Sequence, residues 1–524
     1  MIPAQRSPRP AGPGANSIAP QPRSGFSSPS SHSSGTHFRW SHFWSQFSGT
    51  EKYLILLFIL TLPLVNPWVR GDGVGYYAYA RAPLVENSFN FENDWKHADE
   101  VFRVAKLDAN GNVQSGEFTR TGHVDNHFTV GPALLWMPFL LPTHAVILLL
   151  DKLGRHIPAD GFSRPYRTAM ALGTSFYGFL GLLLSYRVAI KYTSNYAATA
   201  ATLAIWFGSS LIVYMYFNPA WSHAHSAFTV ALFIWYWNRT RGTRTIHQWA
   251  VLGLLGGLMA DVYYPNALLM LLPLVETMVL LVGTKSSVAR RTALTPLAIG
   301  NLICGAGFLF AMLPTFFTRW IVYGSPLEAG SYTHWAWHFG SPALLPVLFS
   351  ADHGLFSWTP LIMLSIIGLF FLVPRHRLLA VALIITLLAY FYLIASFPFW
   401  DGESSFGNRF FISLTALFVI GLAALLDSLA AATVHAHQLL RKAPSAALGL
   451  LVLWNLGMVF QWGTHLIPAR GPISWPQMAY NQVAVVPVRS GDAVARYFVN
   501  RKGLMRQIEQ QDVQQLKQKS RQEQ

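Results

Sequence analysis

Charge is scarce in this chain. Only 12% of its 524 residues are Asp, Glu, Lys or Arg, against about 25% in a soluble globular domain, which excludes a soluble enzyme. Cysteine is scarcer still. Cys304 stands alone, so neither a disulfide framework nor a cysteine-based metal cluster can be built. No glycine-rich nucleotide loop and no internal repeat is visible. The polar–apolar alternation of a porin-type barrel is missing too. What the chain has is apolar bulk: 52% hydrophobic residues and a mean hydropathy of +0.33, which excludes a disordered chain. A net charge of +15 would suggest nucleic acid as partner of a soluble protein. Here the basic residues lie between apolar runs, so the partner they imply is the lipid bilayer and no nucleic acid is expected.

Runs free of Asp, Glu, Lys and Arg fall at 53–69, 128–150, 168–186, 192–238, 245–260, 262–284 (around Glu276), 292–318, 354–374, 378–400, 410–426 and 443–469. A membrane-spanning helix needs about 20 apolar residues. The run 192–238 holds two such segments, divided at Asn218-Pro219 because proline disfavours helix in the residue before it. Only helices satisfy their own backbone in lipid. The expected fold is therefore an all-α polytopic membrane protein of 11–12 transmembrane helices. Residues 1–50 are rich in Ser, Pro, Gly and Arg and read as a disordered cytoplasmic tail. Residues 51–469 form the membrane domain, with a first outer loop at 70–127, and 470–524 a polar C-terminal tail.

Basic residues decide the orientation. The loops at 239–244, 285–291, 375–377 and 441–442 hold ten Lys and Arg, whereas 261–264, 319–353 and 401–409 hold two, Arg319 and Arg409. With the basic N-terminus in the cytoplasm, twelve strict crossings would put the ten outside, against the positive-inside rule. Eleven crossings repair this. The segment that fails to cross lies within 128–217. Pro138 and Pro142 suggest a break in 128–150, but Lys152, Arg155, Arg164 and Arg167 just after it argue that it reaches the inside; 192–217 is the other candidate. The loop 70–127, His223 and His225, the loops 319–353 and 401–409 and the C-terminal tail then share the outer face.

That face carries the candidate chemistry. Asp72 lies between Gly71 and Gly73 just past the first apolar run, where a carboxylate can approach a substrate closely and act as general base; Gly-Asp-Gly is equally ordinary turn chemistry. Tyr76 and Tyr77 follow as interfacial aromatics able to meet a substrate. His223 and His225 sit about 200° apart on a regular helix, so one at most faces a site. His123 and His127 have a spacing that binds metal on a helix, without a supporting carboxylate motif. Asp261 is an acid at a helix junction, a functional candidate by its cost in lipid. His334, His338 and His353 are interleaved with Trp335 and Trp337, which suits a sugar or head-group site as well as an aromatic belt. Arg409 opens a helix, where its charge opposes the dipole, and makes better sense as an anion ligand.

Asp72 just after the first membrane helix, in a long outer loop, resembles the membrane glycosyltransferases of the GT-C fold, within the protein mannosyltransferase and aminoarabinose-transferase-like group, in a bacterial subgroup. Further local matches are DGVGYY at 72–77, TVGPALLW at 129–136, DGFSRPY at 160–166, SHAHS at 222–226, HGLFSWTP at 353–360 and FGNR at 406–409. The resemblance departs at Gly73, where family members often carry a second acid, and at His223, which stands about where related enzymes begin a later helix with an acid. It implies a sugar donor on a polyprenyl phosphate, a lipid or glycan acceptor hydroxyl, Asp72 as catalytic base, cations from Arg409, Arg319 or an outer-face histidine, and a bacterial inner (plasma) membrane location. It names no certain cofactor and leaves a divalent cation open. The rival class is a transporter or flippase of lipid-linked sugars, which predicts ionisable groups inside the helices, Glu276 foremost.

Overall fold

A computed structural model describes residues 44–284 and 286–522. The chain divides into Met1–Ser48, in which Trp44 and Phe47 meet edge to face at 5.9 Å, and a body, Gly49–Gln524. Residues 1–43, most of the stretch read as a disordered cytoplasmic tail, lie outside the described residues. Among the described residues the body forms helices and no strand, with isolated bridges at Leu107–Val113 and Phe118–Val124 in the loop after the first helix. Among the described residues seven helices are long and apolar enough to cross a membrane, and two shorter apolar ones join them. The protein is a multi-pass helical membrane protein.

In chain order the principal helices are α1 (Gly49–Thr61), α2 (Asp72–Arg81), α3 (Gly131–Lys152), α4 (Arg164–Ala189), α5 (Asn195–Gly208), α6 (His223–Thr240), α7 (Ile246–Val262), α8 (Leu271–Gly283), α9 (Ser287–Ala311), α10 (Pro360–Phe371), α11 (Arg377–Ala395), α12 (Thr415–Ala432), α13 (Gln438–Gly463), α14 (Val486–Val499) and α15 (Arg501–Gln522). Polar contacts tie their ends into two levels. At one level Arg187 bonds Glu51 at 2.6 Å, Tyr192 bonds Asn238 at 2.5 Å, Arg244 bonds Glu276 at 3.2 Å and Asp427 accepts from the Ser194 N–H at 3.0 Å. This is the level of the loops 239–244 and 375–377, and it is called the basic end below. At the other level the Trp221 indole donates to the Arg70 carbonyl at 2.9 Å, Thr129 to the Val262 carbonyl at 2.7 Å and the His338 N–H to the Ser396 carbonyl at 2.8 Å.

Read between these levels, the described chain passes from end to end eleven times: through α1, α4, α5 with the π-turn Val213–Phe217 that completes it, α6, α7, α8, α9, α10, α11, α12 and α13. The exception is α3. It starts against the backbone of Asp261 and Val262. It then runs antiparallel to the first half of α4, with Trp136 bonded to Thr174 at 2.8 Å and His144 to Tyr166 at 2.5 Å, and ends beyond the start of α4. Both of its ends therefore belong to the end opposite the basic loops. Pro138 and Pro142 do not break it; it is one helix of 22 residues. Of the two candidate segments, 128–150 is the one that fails to pass, and 192–217 passes although α5 has only 14 residues, about 21 Å of rise. Lys152, Arg155, Arg164 and Arg167 consequently sit away from the basic end, against the charge argument made for them. The exposed face of α3 is apolar, with Leu134, Leu141, Val146 and Leu149 outward, which suits lipid.

Small residues let the helices close on one another, as they do where lipid removes the hydrophobic driving force. A Cβ on Gly421 of α12 would overlap the Ser365 carbonyl of α10, and one on Gly253 of α7 the Cys304 carbonyl of α9. Polar tail residues also fold back. The stretch that reads as a polar tail forms α14 and α15 and packs on the chain just past α1 and on the 70–127 loop: Tyr497 donates to the Leu64 carbonyl at 2.6 Å, Arg501 to that of Val65 at 2.5 Å, and Glu509 accepts from the Glu100 N–H at 2.7 Å.

The eleven-pass path predicts that a cysteine replacing exposed His156, just past α3, is labelled by a membrane-impermeant thiol reagent from the same side as one replacing Arg470, and from the opposite side to one replacing Arg241. Labelling of position 156 from the Arg241 side would mean that α3 crosses. The native Cys304 is buried and should stay silent.

Candidate functional site

The site is assembled where the 70–127 loop begins. Gly71 has φ +52°, and a Cβ there would press on Trp221, so the turn requires glycine. Its N–H donates to Asp99 at 2.9 Å. This turn starts α2, and Asp72 is its first residue, a position where the helix dipole favours a carboxylate. Gly73 lies on Ala220 with no room for a side chain. The Gly-Asp-Gly run is thus both a turn and a means of setting one carboxylate against the segment before α6.

Asp72 forms a short ion pair with Arg409, which begins the 3-10 turn leading into α12. Arg409 is nearly buried, and its guanidinium lies over the Trp221 ring at 4.3 Å. The arginine that reads from sequence as an anion ligand has an anion in place, 337 positions away in the chain. The pair lies on the wall of a cavity of about 890 Å³. Tyr76, Asp99, His223, Tyr263, Tyr332 and Trp335 line it, together with the more exposed Lys106, Glu403 and Arg470. Burial pushes the Asp99 carboxyl up, with the Arg70 charge and the Gly71 N–H opposing. At Asp125, which lines the same cavity, burial also acts against ionisation, but the His127 imidazole 3.8 Å away and the hydrogen bond from Tyr323 at 2.7 Å outweigh it and hold the carboxyl below its ordinary value.

The structure gathers Asp72, Tyr76, His223 and Arg409 into this cavity, brings His127 to its lining, and places the other candidates elsewhere. Tyr77 is buried and donates to the Gly161 carbonyl at 2.7 Å. His225 packs in the core between Trp136 and Tyr177, so the two histidines point to different surroundings, as their spacing requires. Asp261 is buried and accepts from the Thr315 hydroxyl at 2.5 Å. His334 is exposed, 3.7 Å from Glu328, and His338 is exposed as well. His353 is buried and bonded to the Asp401 carbonyl at 2.9 Å; burial pushes its imidazole down to about 4, so it stays neutral and brings no positive charge. Arg319 lies outside the cavity lining, engaged with Tyr264 and with the His127 carbonyl at 2.7 Å. His123 and His127 lie in an irregular stretch rather than on a helix, which removes the geometric basis for a shared metal there. Among the described residues no three His, Cys, Asp or Glu side chains gather as a metal-binding group.

Two residues of the wall, Trp221 and Tyr332, escape a reading by motif. Trp221 is the platform under Arg409. Tyr332 and Trp335, 4.6 Å apart between ring centres and flanked by Phe397, come from the loop whose histidines drew attention, yet the aromatics rather than the histidines face the cavity. His127 enters the wall through Tyr332 at 5.2 Å. The one usable signal in sequence is the density of aromatic residues in 332–339 and 397–400.

A second cavity, of about 320 Å³, adjoins the first and is almost wholly apolar. Leu64, Phe217, Val459, Phe460, Tyr497 and Phe498 line it, and it shares Arg70, Ala469 and Asp512 with the polar cavity. No family model matches the sequence, and no curated protein is similar to it. The class defined by fold and site is a multi-pass helical membrane protein with a charged aromatic cavity at the end away from its basic loops.

Proposed function

We propose that the protein is a membrane glycosyltransferase of the GT-C type, which moves a sugar from a polyprenyl-phosphate donor to a hydroxyl of a lipid or glycan acceptor on the non-cytoplasmic face of a bacterial inner membrane. The observation that carries this reading is the Asp72–Arg409 pair on the wall of an aromatic cavity of about 890 Å³ that adjoins an apolar one. A carboxylate of this kind can take the acceptor proton. The acceptor oxygen then bonds to the anomeric carbon as the bond from that carbon to the phosphate oxygen breaks, its electron pair leaving with the phosphate. One displacement inverts the anomeric centre. Arg409 pairs with the carboxylate and supplies positive charge beside the reaction. Tyr263, Tyr332 and Trp335 offer ring faces to the sugar. The positive-inside rule assigns the basic end to the cytoplasm and the cavity to the other side.

The rival reading as a flippase loses its main support at Glu276. That carboxylate is held at the basic end by the Trp237 indole at 2.8 Å, the Gly242 N–H at 3.1 Å and Arg244 at 3.2 Å, and it faces neither cavity. The test is incubation of purified protein in proteoliposomes with a panel of labelled polyprenyl-phosphate sugars and a membrane-lipid or glycan acceptor. A transferase releases polyprenyl phosphate in step with labelled acceptor. Movement of label across the bilayer with the sugar–phosphate bond intact would establish the flippase instead.

A further inference from the structure

The two cavities meet at a charged junction. Asp512 of α15 accepts from Arg70 through one carboxylate oxygen at 3.0 Å and contacts the His465 Nε2 through the other at 2.7 Å. All three side chains are largely buried, at 17, 12 and 7% exposure for Arg70, Asp512 and His465. Arg70 is further held over the Trp68 ring at 4.5 Å. An otherwise apolar cavity thus ends on a cation and an imidazole, and one carboxylate from a distant helix occupies both.

A molecule with a hydrocarbon tail in the apolar cavity and a sugar in the polar one has its linking group at this junction. The residues waiting there select an anion with several acceptor oxygens. Resting on the transferase reading, we propose that Arg70 and His465 form the docking site for the phosphate of a lipid-linked sugar, and that Asp512 occupies this site in the ligand-free protein as an internal substitute for that phosphate. Arginine suits the exchange because its fork accepts carboxylate and phosphate oxygens with similar geometry. Asp72 lies two residues beyond Arg70, so a phosphate held there presents its sugar to the catalytic wall. When the ligand arrives, Asp512 leaves, and α15 shifts from its seat on Asn66, Val65 and Glu100. The C-terminal helix is then a strap that holds the lipid site closed until an anionic lipid displaces it.

Binding of decaprenyl phosphate to the full-length protein in detergent tests this, with decaprenol and inorganic phosphate as separate probes. Asp512→Asn should tighten decaprenyl phosphate binding by on the order of tenfold, because the competing charge is gone. Arg70→Gln should weaken it by a similar factor while Asp512 is intact, and decaprenol binding should respond to neither variant. Inorganic phosphate should compete measurably in Asp512→Asn alone, which separates a free phosphate site from one that needs the tail. Hydrogen exchange in 501–522 of the wild type should rise on adding decaprenyl phosphate. Unchanged or weaker binding in Asp512→Asn overturns the proposal, leaving the contact a structural clamp. Should that variant fail to fold, unchanged binding in Arg70→Gln or unchanged exchange in the wild type overturns it equally. The transferase reading stands or falls separately, on release of polyprenyl phosphate by the wild type.

Discussion

Asp72→Asn is expected to lower sugar transfer by roughly 10²–10⁴-fold, the usual contribution of a positioned general base, while donor binding persists. The amide can still accept a hydrogen bond from Arg409 but cannot take the acceptor proton. Stability is a confounding factor, because the substitution leaves a nearly buried guanidinium without its counter-ion. Breaking a buried pair costs about 3–5 kcal/mol; Asp72 is about a third exposed, at 32%, and solvent screening reduces that cost here. The double variant Asp72→Asn/Arg409→Met separates the two effects. It removes the unpaired charge and should regain much of the lost thermal stability, yet remain as inactive as the single variant. Transfer at near wild-type rate in a folded Asp72→Asn protein would remove Asp72 from the chemistry.

The membrane helices were legible because lipid makes an unforgiving demand. A segment in hydrocarbon must be continuously apolar and must close its own hydrogen bonds, and each apolar run in the chain became a helix. The failure at α3 follows from the same demand. A helix that traverses lipid and one that starts and ends on one side need the same composition. Only its partners, Asp261 at one end and Tyr166 towards the other, tell them apart. Its prolines point to the right segment without breaking the helix, whereas Lys152, Arg155, Arg164 and Arg167 after it point the wrong way. The site was legible in part for a different reason. Asp72 is marked by position and by its glycines, and Arg409 by a charge in the wrong place for a helix start. Their pairing spans most of the chain and leaves no local trace. Asp512 is one acid in a Gln-rich stretch, and nothing local distinguishes it from Glu509 three residues earlier. Of the histidines and aromatics interleaved in 334–353, the fold turns Trp335 to the cavity and leaves His334 and His338 exposed.

Arg81→Ala should be the most destabilising single change in the first outer loop. Arg81 grips Asp94 through two nitrogens, both at 2.6 Å, and Glu86 through a third at 2.7 Å. Its stem fills the space beside Gly161, and its guanidinium lies over the Phe162 ring at 4.5 Å. Arg81 and Asp94 are 1% and 2% exposed, so truncating the arginine strands a buried carboxylate, at about 3–5 kcal/mol. Glu86 is partly exposed and can return to water. The loss should be local first, seen as faster hydrogen exchange across 82–117 before the membrane helices respond. Arg81→Met/Asp94→Leu should recover most of it, since apolar replacement of a buried pair is close to neutral. Equal instability in the double variant would place the cost in packing against Gly161 and Phe162 rather than in charge. The consequence reaches the cavity because Asp72 and Arg81 are the two ends of α2. A helix of ten residues held at one end by Arg81 sets the carboxylate at the other, so transfer should fall in Arg81→Ala and return in the double variant, although neither residue lines the cavity.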